Sequence, residues 1–483
     1  MVQSNNNLWI LTEERLKISV LRIILNTFIK YTNNNIIKNT FKSEIKTKPV
    51  FEKKKFKNLY EIENFKIKNI DKIYSLIVSG TTSFTDHLLF EQKEKPTDFE
   101  LSTNNIKFAF EDTKTDSTES RNTVFGQRGS KHVILSYYNK NIPFKVIITD
   151  SEINYNDKYD ENGNIIEKGF PPSSKFDARC LVTSGVEIIG INNFDATPFK
   201  DFEELKSEKN QMRKPGGKNN IAFKIENTSN GISLSKKLLK PGKNKMGKIT
   251  KNWSDPSIGQ VLSTSLAIRN LGYKGNIEIV KHQLDKEMIK NKRNKFLLGC
   301  KSLKLNLENL NLPSVQFPKK YWEYPTFSVS EKHATILFHH MLNYSQNLLK
   351  VIFDNHGGCA RSYITKNDKK NFPVPKQLHE SKLPDLIVLD EEEKKIYMIE
   401  GKTHAEYQKG IDQIKLFSNF FDDFLVKKCG YTNYKLESWL ILSGDSNLDV
   451  DFKKVIFNLK EDFSMEVSKD INKKFLNIFN YFS

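Results

Sequence analysis

A chain of 483 residues is long enough for two or three domains with sizeable cores. Hydrophobic residues make up 38% and charged residues 28%, which excludes a mainly disordered chain, and no run approaches the ~20 apolar residues of a membrane span. The formal net charge of +18 suits a polyanionic partner, nucleic acid or an anionic surface, although a lysine- and asparagine-rich proteome is the bland source of the same excess.

In chain order, the stretch 18–25 is interrupted by Arg22 and preceded by Glu13 and Glu14, so it reads as an amphipathic helix and not as a signal peptide. The run 73–78 predicts a strand ending at Ser79-Gly80. The run 126–132 reads as a basic loop. Its Gln127 and Arg128 suit base edges and its Lys131 suits phosphates, with an ordinary surface loop as the plain alternative. Runs 133–138 and 144–148 then read as two strands joined by a polar turn at Asn139, and residues 150–170 as a long loop. Cys180, Cys300, Cys359 and Cys429 lie far apart and form neither a metal knuckle nor a disulfide framework, which points to a reducing, cytoplasmic setting.

Residues 206–252 are the most basic stretch, with Arg213, Lys214 and Lys218 among many lysines against only Glu208 and Glu226. Such a segment fits a phosphate backbone or a solvated linker. Within it, 242–249 nearly matches a phosphate-binding loop but carries Ile249 where Mg²⁺ needs Ser or Thr. Residues 255–271 predict a helix, with Asp255 as N-cap, Pro256 at its first position and Gly272 closing it. A strand follows at 276–280, and Pro313, Pro318 and Pro325 mark a boundary. The expected organisation is a recognition region over 1–250, a connecting region over 251–324 and a catalytic core over 325–483.

In the last region Leu337, Met341, Tyr344, Leu348 and Val351 predict an amphipathic helix over 331–353 that stops at His356-Gly357-Gly358. A short strand is expected at 362–365. The runs 386–389 and 396–399 are apolar on consecutive residues, as in strands covered on both faces. A helix over 405–426, with Ile411, Ile414, Phe417, Phe421 and Phe424 on one face, leads to a strand at 439–442. A hairpin turning near 393 sets Asp385 opposite Gly401, beside Glu400 and Lys402, whose side chains share a face. Such a charged cluster is costly to desolvate unless something compensates it. Mg²⁺, with Mn²⁺ as a substitute, accepts two carboxylates and a carbonyl and keeps waters for chemistry. Lys402 would orient that water and stabilise charge on a phosphate.

His339 and His340 are adjacent on the helix and cannot point the same way, which favours packing over metal ligation. His404 is suited to a phosphate contact or to an exposed helix start. Lys409 and Gln413, with Tyr407 and Gln408, suit a DNA groove or a solvated face.

Pro384-Asp385, fourteen intervening residues and then Glu400-Gly401-Lys402 resemble the PD-(D/E)xK nuclease signature. The order helix, strand, strand, strand, helix, strand over about 325–445 is similar to that superfamily's core, and type II restriction endonucleases are its most similar branch. The resemblance implies an α/β (α+β overall) chain with a restriction-endonuclease-like core, a central mixed sheet flanked by helices. It implies Asp385 and Glu400 as ligands of Mg²⁺, Lys402 as the catalytic lysine, Glu331 as a candidate extra acid, and hydrolysis of double-stranded DNA. A homodimer and a cognate DNA methyltransferase go with that reading. A repair or recombination nuclease and a non-catalytic DNA-binding protein are the competing expectations.

Overall fold

The computed structural model describes residues 6–482 except 13, 33–35, 39–44, 79–84, 97–103, 114–117, 149–155, 168, 191–195, 213–222, 236–240, 244–248, 254, 280–294, 308–310, 317–329, 346–348, 356–362, 367–369, 375–382, 447–453 and 469. The fold is mixed α/β, with several mixed sheets. No described helix is long and apolar enough to cross a membrane.

The N-terminal sheet is built from β1 (Asn6–Thr12), β2 (Lys46–Glu52), β3 (Lys55–Glu63), β4 (Ile70–Ile77), β5 (His87–Gln92), β6 (Ile106–Thr113), β7 (Phe144–Ile148) and β8 (Glu187–Ile189), in the order β8-β7-β6-β5-β1-β4-β3-β2. Strand β5 is antiparallel to both β1 and β6, whereas β7 is parallel to β6 and β8 to β7. Both faces are covered, which is why β1 and β7 are apolar on consecutive residues. One face takes Val20, Leu21, Ile24, Leu25 and Phe28 of α1 (Ile18–Thr32), the amphipathic helix expected there. The other takes α2 (Thr118–Tyr138), α3 (Pro172–Thr183), α5 (Asp255–Asn270) and α6 (Lys295–Leu303) in one core; α4 (Phe202–Gln211), N-capped by Asp201, adds Leu205.

Two expectations fail here. Residues 126–132 are not a loop and 133–138 are not a strand; both belong to α2. The glycines that suggested a loop serve close packing instead. A Cβ on Gly129 would lie 2.1 Å from the Ser263 Cβ of α5, and one on Gly126 would lie 2.7 Å from Gln260 Cγ. Val133, Ile134 and Leu135 are all buried because α2 is enclosed on more than one side, which erases the helical period. The expected loop over 150–170 also holds a small hairpin, Lys158–Tyr159 against Ile165–Glu167, turning on Asp160.

The helix over 255–271 forms as expected, and Gly272 closes it with a φ of +87°. A smaller sheet joins β9 (Lys224–Thr228), β10 (Gly231–Ser235), β11 (Asn276–Ile279) and β12 (Asn306–Leu307). The near phosphate loop leads into a strand, Ile249–Trp253, rather than a helix, and its residues 244–248 lie outside the described residues.

The C-terminal sheet runs β13 (Leu349–Asp354), β14 (Leu386–Asp390), β15 (Lys395–Thr403), β16 (Lys435–Ser443), β17 (Val455–Leu459) and β18 (Met465–Val467), in that order. Strands β13, β14 and β15 are antiparallel, β15, β16 and β17 parallel. One face packs on α7 (Glu331–Tyr344) and α9 (Lys473–Phe482), the other on α8 (Tyr407–Ile414) and the irregular helical stretch 417–426. The helix expected over 331–353 therefore ends at Tyr344; Val351 lies on β13 and Leu348 outside the described residues. Apolar spacing continued by chance through the connection into the strand. The helix expected over 405–426 is broken into a 3₁₀ turn, α8, a short turn at 417–420 and a π-helical turn.

The two large sheets are joined through β2, β3 and β4. Phe56, Tyr60 and Ile77 share a core with α7. The Phe56 amide donates to the Phe463 carbonyl at 2.9 Å, and His333 Nε2 lies 3.1 Å from the Ile77 carbonyl.

Candidate functional site

The open end of the β14/β15 hairpin carries the charged cluster. Leu386 pairs with Ile399 and Asp390 with Lys395, so the next position outward sets Asp385 beside Glu400, one residue tighter than opposite Gly401. The Gly401 amide donates to Asp385 Oδ2 at 2.8 Å. Lys402 Nζ donates to Glu400 Oε1 and, at 2.9 Å, to the Gly401 carbonyl. The first turn of α7 presses on the same point. A Cβ on Gly401 would lie 2.4 Å from Thr335 Cγ2, 3.2 Å from Asp385 Oδ2 and 3.4 Å from the Glu331 carbonyl oxygen. Glycine is thus required between the acid and the lysine by packing. From the opposite side α8 confines the Lys402 stem, since a Cβ on Gly410 would lie 3.0 Å from Lys402 Cγ.

This packing also corrects the placing of Glu331. It lies at the site end of α7, not a helix length away. Its charge acts on Asp385, Glu400 and Lys402 alike.

Burial pushes the Glu400 carboxyl up to about 8, with the Asp385 charge adding to it and Lys402 opposing. Burial likewise pushes Asp385 up to about 6, against the Gly401 amide and Lys402. Burial alone would lower Lys402; Glu400, then Asp385 and Glu331, outweigh it and hold the ammonium above its ordinary value. Glu400 Oε2 is buried with no hydrogen-bond partner. A desolvated acid pair with an orphaned oxygen, beside the Gly401 carbonyl, is a set of hard oxygen donors that a divalent cation would satisfy. Among the described residues no three Asp, Glu, His or Cys side chains come close enough to share a metal ion. The protein would thus supply two carboxylates, leaving other positions to water and substrate, as Mg²⁺ prefers.

Asp354, at the end of β13, was not legible as part of this site. The Asn355 amide donates to the Asp385 carbonyl at 2.9 Å. Asp354 itself receives Arg15 and His339, and burial, then Arg15, push His339 down to about 4. His340 packs on Tyr60 and meets Thr47, so both histidines are core residues, as the packing reading expected.

The other sequence candidates fall elsewhere. His404 is buried in the 3₁₀ turn after β15, with neither ring nitrogen hydrogen-bonded, and is not an exposed helix start. Lys409 is exposed and paired with Glu406 at 2.6 Å, and Gln413 is half-buried on α8. Arg128 and Lys131 lie on α2, where Arg128 pairs with Glu111 at 3.2 Å and Lys131 with Glu111 at 2.8 Å and Asp86 at 2.9 Å. They are committed to acids, not presented on a loop. Gln127 shares that helix. Arg213, Lys214 and Lys218 lie outside the described residues, as do Cys359 and His356.

No protein-family model, curated protein or solved structure matches the chain.

Proposed function

We propose that the chain is a Mg²⁺-dependent endonuclease acting on double-stranded DNA, with Asp385, Glu400 and Lys402 as its catalytic residues. The observation that carries this reading is the convergence of the three at one hairpin end, with Glu400 Oε2 left buried and unpartnered. Asp385 and Glu400 would hold the cation, which when bound supplies a polarised phosphate and an acidified water. The Gly401 amide fixes the Asp385 carboxylate in place. Lys402, its stem confined by α8, holds a proton-bearing ammonium at Nζ to orient the attacking water and to stabilise charge gathering on the phosphate oxygens. Glu331 raises the negative potential that draws the cation without being close enough to complete a three-acid ligand set.

The formal charge of +18 supports a polyanionic substrate. Within nucleases we favour a type II restriction enzyme with a restriction-endonuclease-like C-terminal core, working in the cytoplasm beside a cognate DNA methyltransferase. A homodimer would match a palindromic site. Digestion of a sequenced, unmethylated plasmid in Mg²⁺ or Mn²⁺, with the ends mapped, tests this. Discrete fragments with common end sequences are expected. A preference for branched or damaged substrates would redirect the reading to repair, and binding without any cleavage would overturn it.

A further inference from the structure

The N-terminal sheet repeats the geometry of the Asp385 site. Strands β5 and β6 form an antiparallel hairpin in which His87 pairs with Phe110 and Leu88 with Ala109. The next position outward sets Asp86 beside Glu111, just as Leu386 pairing with Ile399 sets Asp385 beside Glu400. In both sheets the Glu-bearing strand is followed by a crossover helix and a parallel strand, then by another parallel strand beyond it. In both, the Asp-bearing strand has an antiparallel neighbour on its other side, β1 in one and β13 in the other.

The polar contacts also repeat. The amide after the glutamate donates to Oδ2 of the aspartate at both ends: Asp112 to Asp86 at 3.1 Å, Gly401 to Asp385 at 2.8 Å. An ammonium sits on each glutamate. At the C-terminal site it comes from Lys402 on the strand. At the N-terminal one Thr113 holds that register position, and Lys131 from the crossover helix α2 donates instead to Glu111 Oε1 at 2.8 Å and Asp86 Oδ1 at 2.9 Å. The carbonyl after the glutamate accepts a cationic donor in both: Lys402 Nζ on Gly401 at 2.9 Å, Arg128 Nη2 on Asp112 at 3.3 Å. Glu111 is fully buried. An ion cluster so deep is an expensive way to stabilise a sheet that apolar side chains would stabilise at least as well.

We propose that Asp86, Glu111 and Lys131 form a second divalent-cation centre that hydrolyses phosphodiesters, and that one chain thereby cuts both strands of a duplex. The inference rests on the nuclease reading of the Asp385 site. The step is the same at either centre. The oxygen of one water bonds to phosphorus and the phosphorus–oxygen bond to the leaving sugar oxygen breaks. One water proton ends on that oxygen and the other stays with the phosphate, so a phosphodiester and a water become a phosphomonoester and a hydroxyl. Asp86 and Glu111 hold the cation, Lys131 takes the part of Lys402, and Arg128 offers a guanidinium to a phosphate oxygen. With two cations facing two acids, this centre binds the metal more weakly than the site where Asp385, Glu400 and Glu331 outnumber Lys402.

The test is Mn²⁺ titration of the full chain, read by the electron-spin signal of free Mn²⁺, together with nicking of supercoiled plasmid. Wild type is expected to hold two equivalents of unequal affinity. Asp385→Asn loses the tighter and Asp86→Asn the weaker. Each variant turns linear product into nicked circles, with the nicks on opposite strands. Lys131→Gln, which keeps both acids, retains both equivalents yet still only nicks. Wild-type Mn²⁺ binding and full linearisation by Asp86→Asn, or by Lys131→Gln should the first not fold, overturns the second centre. So does an Asp385→Asn variant that leaves both strands intact, a result that keeps the nuclease reading. Wild-type protein that neither binds Mn²⁺ nor cuts overturns both.

Discussion

Arg15, just past the first strand, grips Asp354 at the far end of the chain, its Nε and Nη2 both 2.8 Å from Oδ2. The contact spans 339 positions and ties the N-terminal sheet to the strand that supports Asp385. Both side chains are mostly shielded, so the pair is worth more than an exposed one. Arg15→Ala is expected to cost about 1–3 kcal/mol in urea unfolding, the range for a hydrogen bond to a charged group. Because Asp354 then loses its compensating cation, cleavage is expected to weaken as well. Unchanged stability and cleavage would show that the pair does neither job.

Gly401 has no room for a methyl group. Gly401→Ala drives a Cβ to 2.4 Å from Thr335 Cγ2. Overpacking of this kind costs about 1–3 kcal/mol and shifts the Asp385 and Glu400 carboxylates. Thr335→Ser removes the clashing methyl, and the double variant is expected to recover most of the lost melting temperature. A double variant no better than Gly401→Ala alone would point to backbone freedom instead.

His339 gives the protein an acid limit. Its folded pKa, about 4, lies below its ordinary 6.5, so folding favours the neutral ring. The stability it contributes is complete above pH 6.5 and drains away as pH falls towards 4. His132 and His333 are lowered by burial to about 4 as well and act in the same window. Equilibrium unfolding between pH 7 and 4 should show this slope, and His339→Gln should flatten part of it. An unchanged slope would mean His339 is charged in the fold.

The site acids have the opposite sign. Glu400, raised to about 8, favours folding below its ordinary 4.5 and loses that contribution as pH climbs to 8. A cation must displace protons from Glu400 and Asp385 to bind. The rise in melting temperature on adding Mg²⁺ is therefore expected to grow from pH 5 to pH 8, and to vanish in Asp385→Asn. A pH-independent rise would place the ion elsewhere.

Much of the C-terminal sheet was readable because its strands are short, apolar and punctuated. The hairpin over 386–399 and the pairing of Asp385 with Glu400 followed from counting back from the turn, to within one residue. Glu331 was misplaced because the helix was drawn nine residues too long: 331–353 against Glu331–Tyr344. Asp354 was invisible because its partners, Arg15 and His339, are set by tertiary packing. The N-terminal acid pair was missed for a related reason. Asp86 and Glu111 lie 25 positions apart across a long connection, and their lysine is not on the strand but on a helix that glycines made look like a loop.

The most direct test is single-turnover cleavage of an end-labelled duplex. Wild type, Asp385→Asn and Lys402→Gln would each be assayed in Mg²⁺ and in chelator, alongside salt-dependent DNA binding. At the strand that the Asp385 site cuts, both variants are expected to lose at least about a hundredfold in rate, while binding and its salt dependence persist. Cleavage at the wild-type rate by either variant, or in chelator, would contradict the assignment of Asp385, Glu400 and Lys402 as a metal-dependent hydrolytic site.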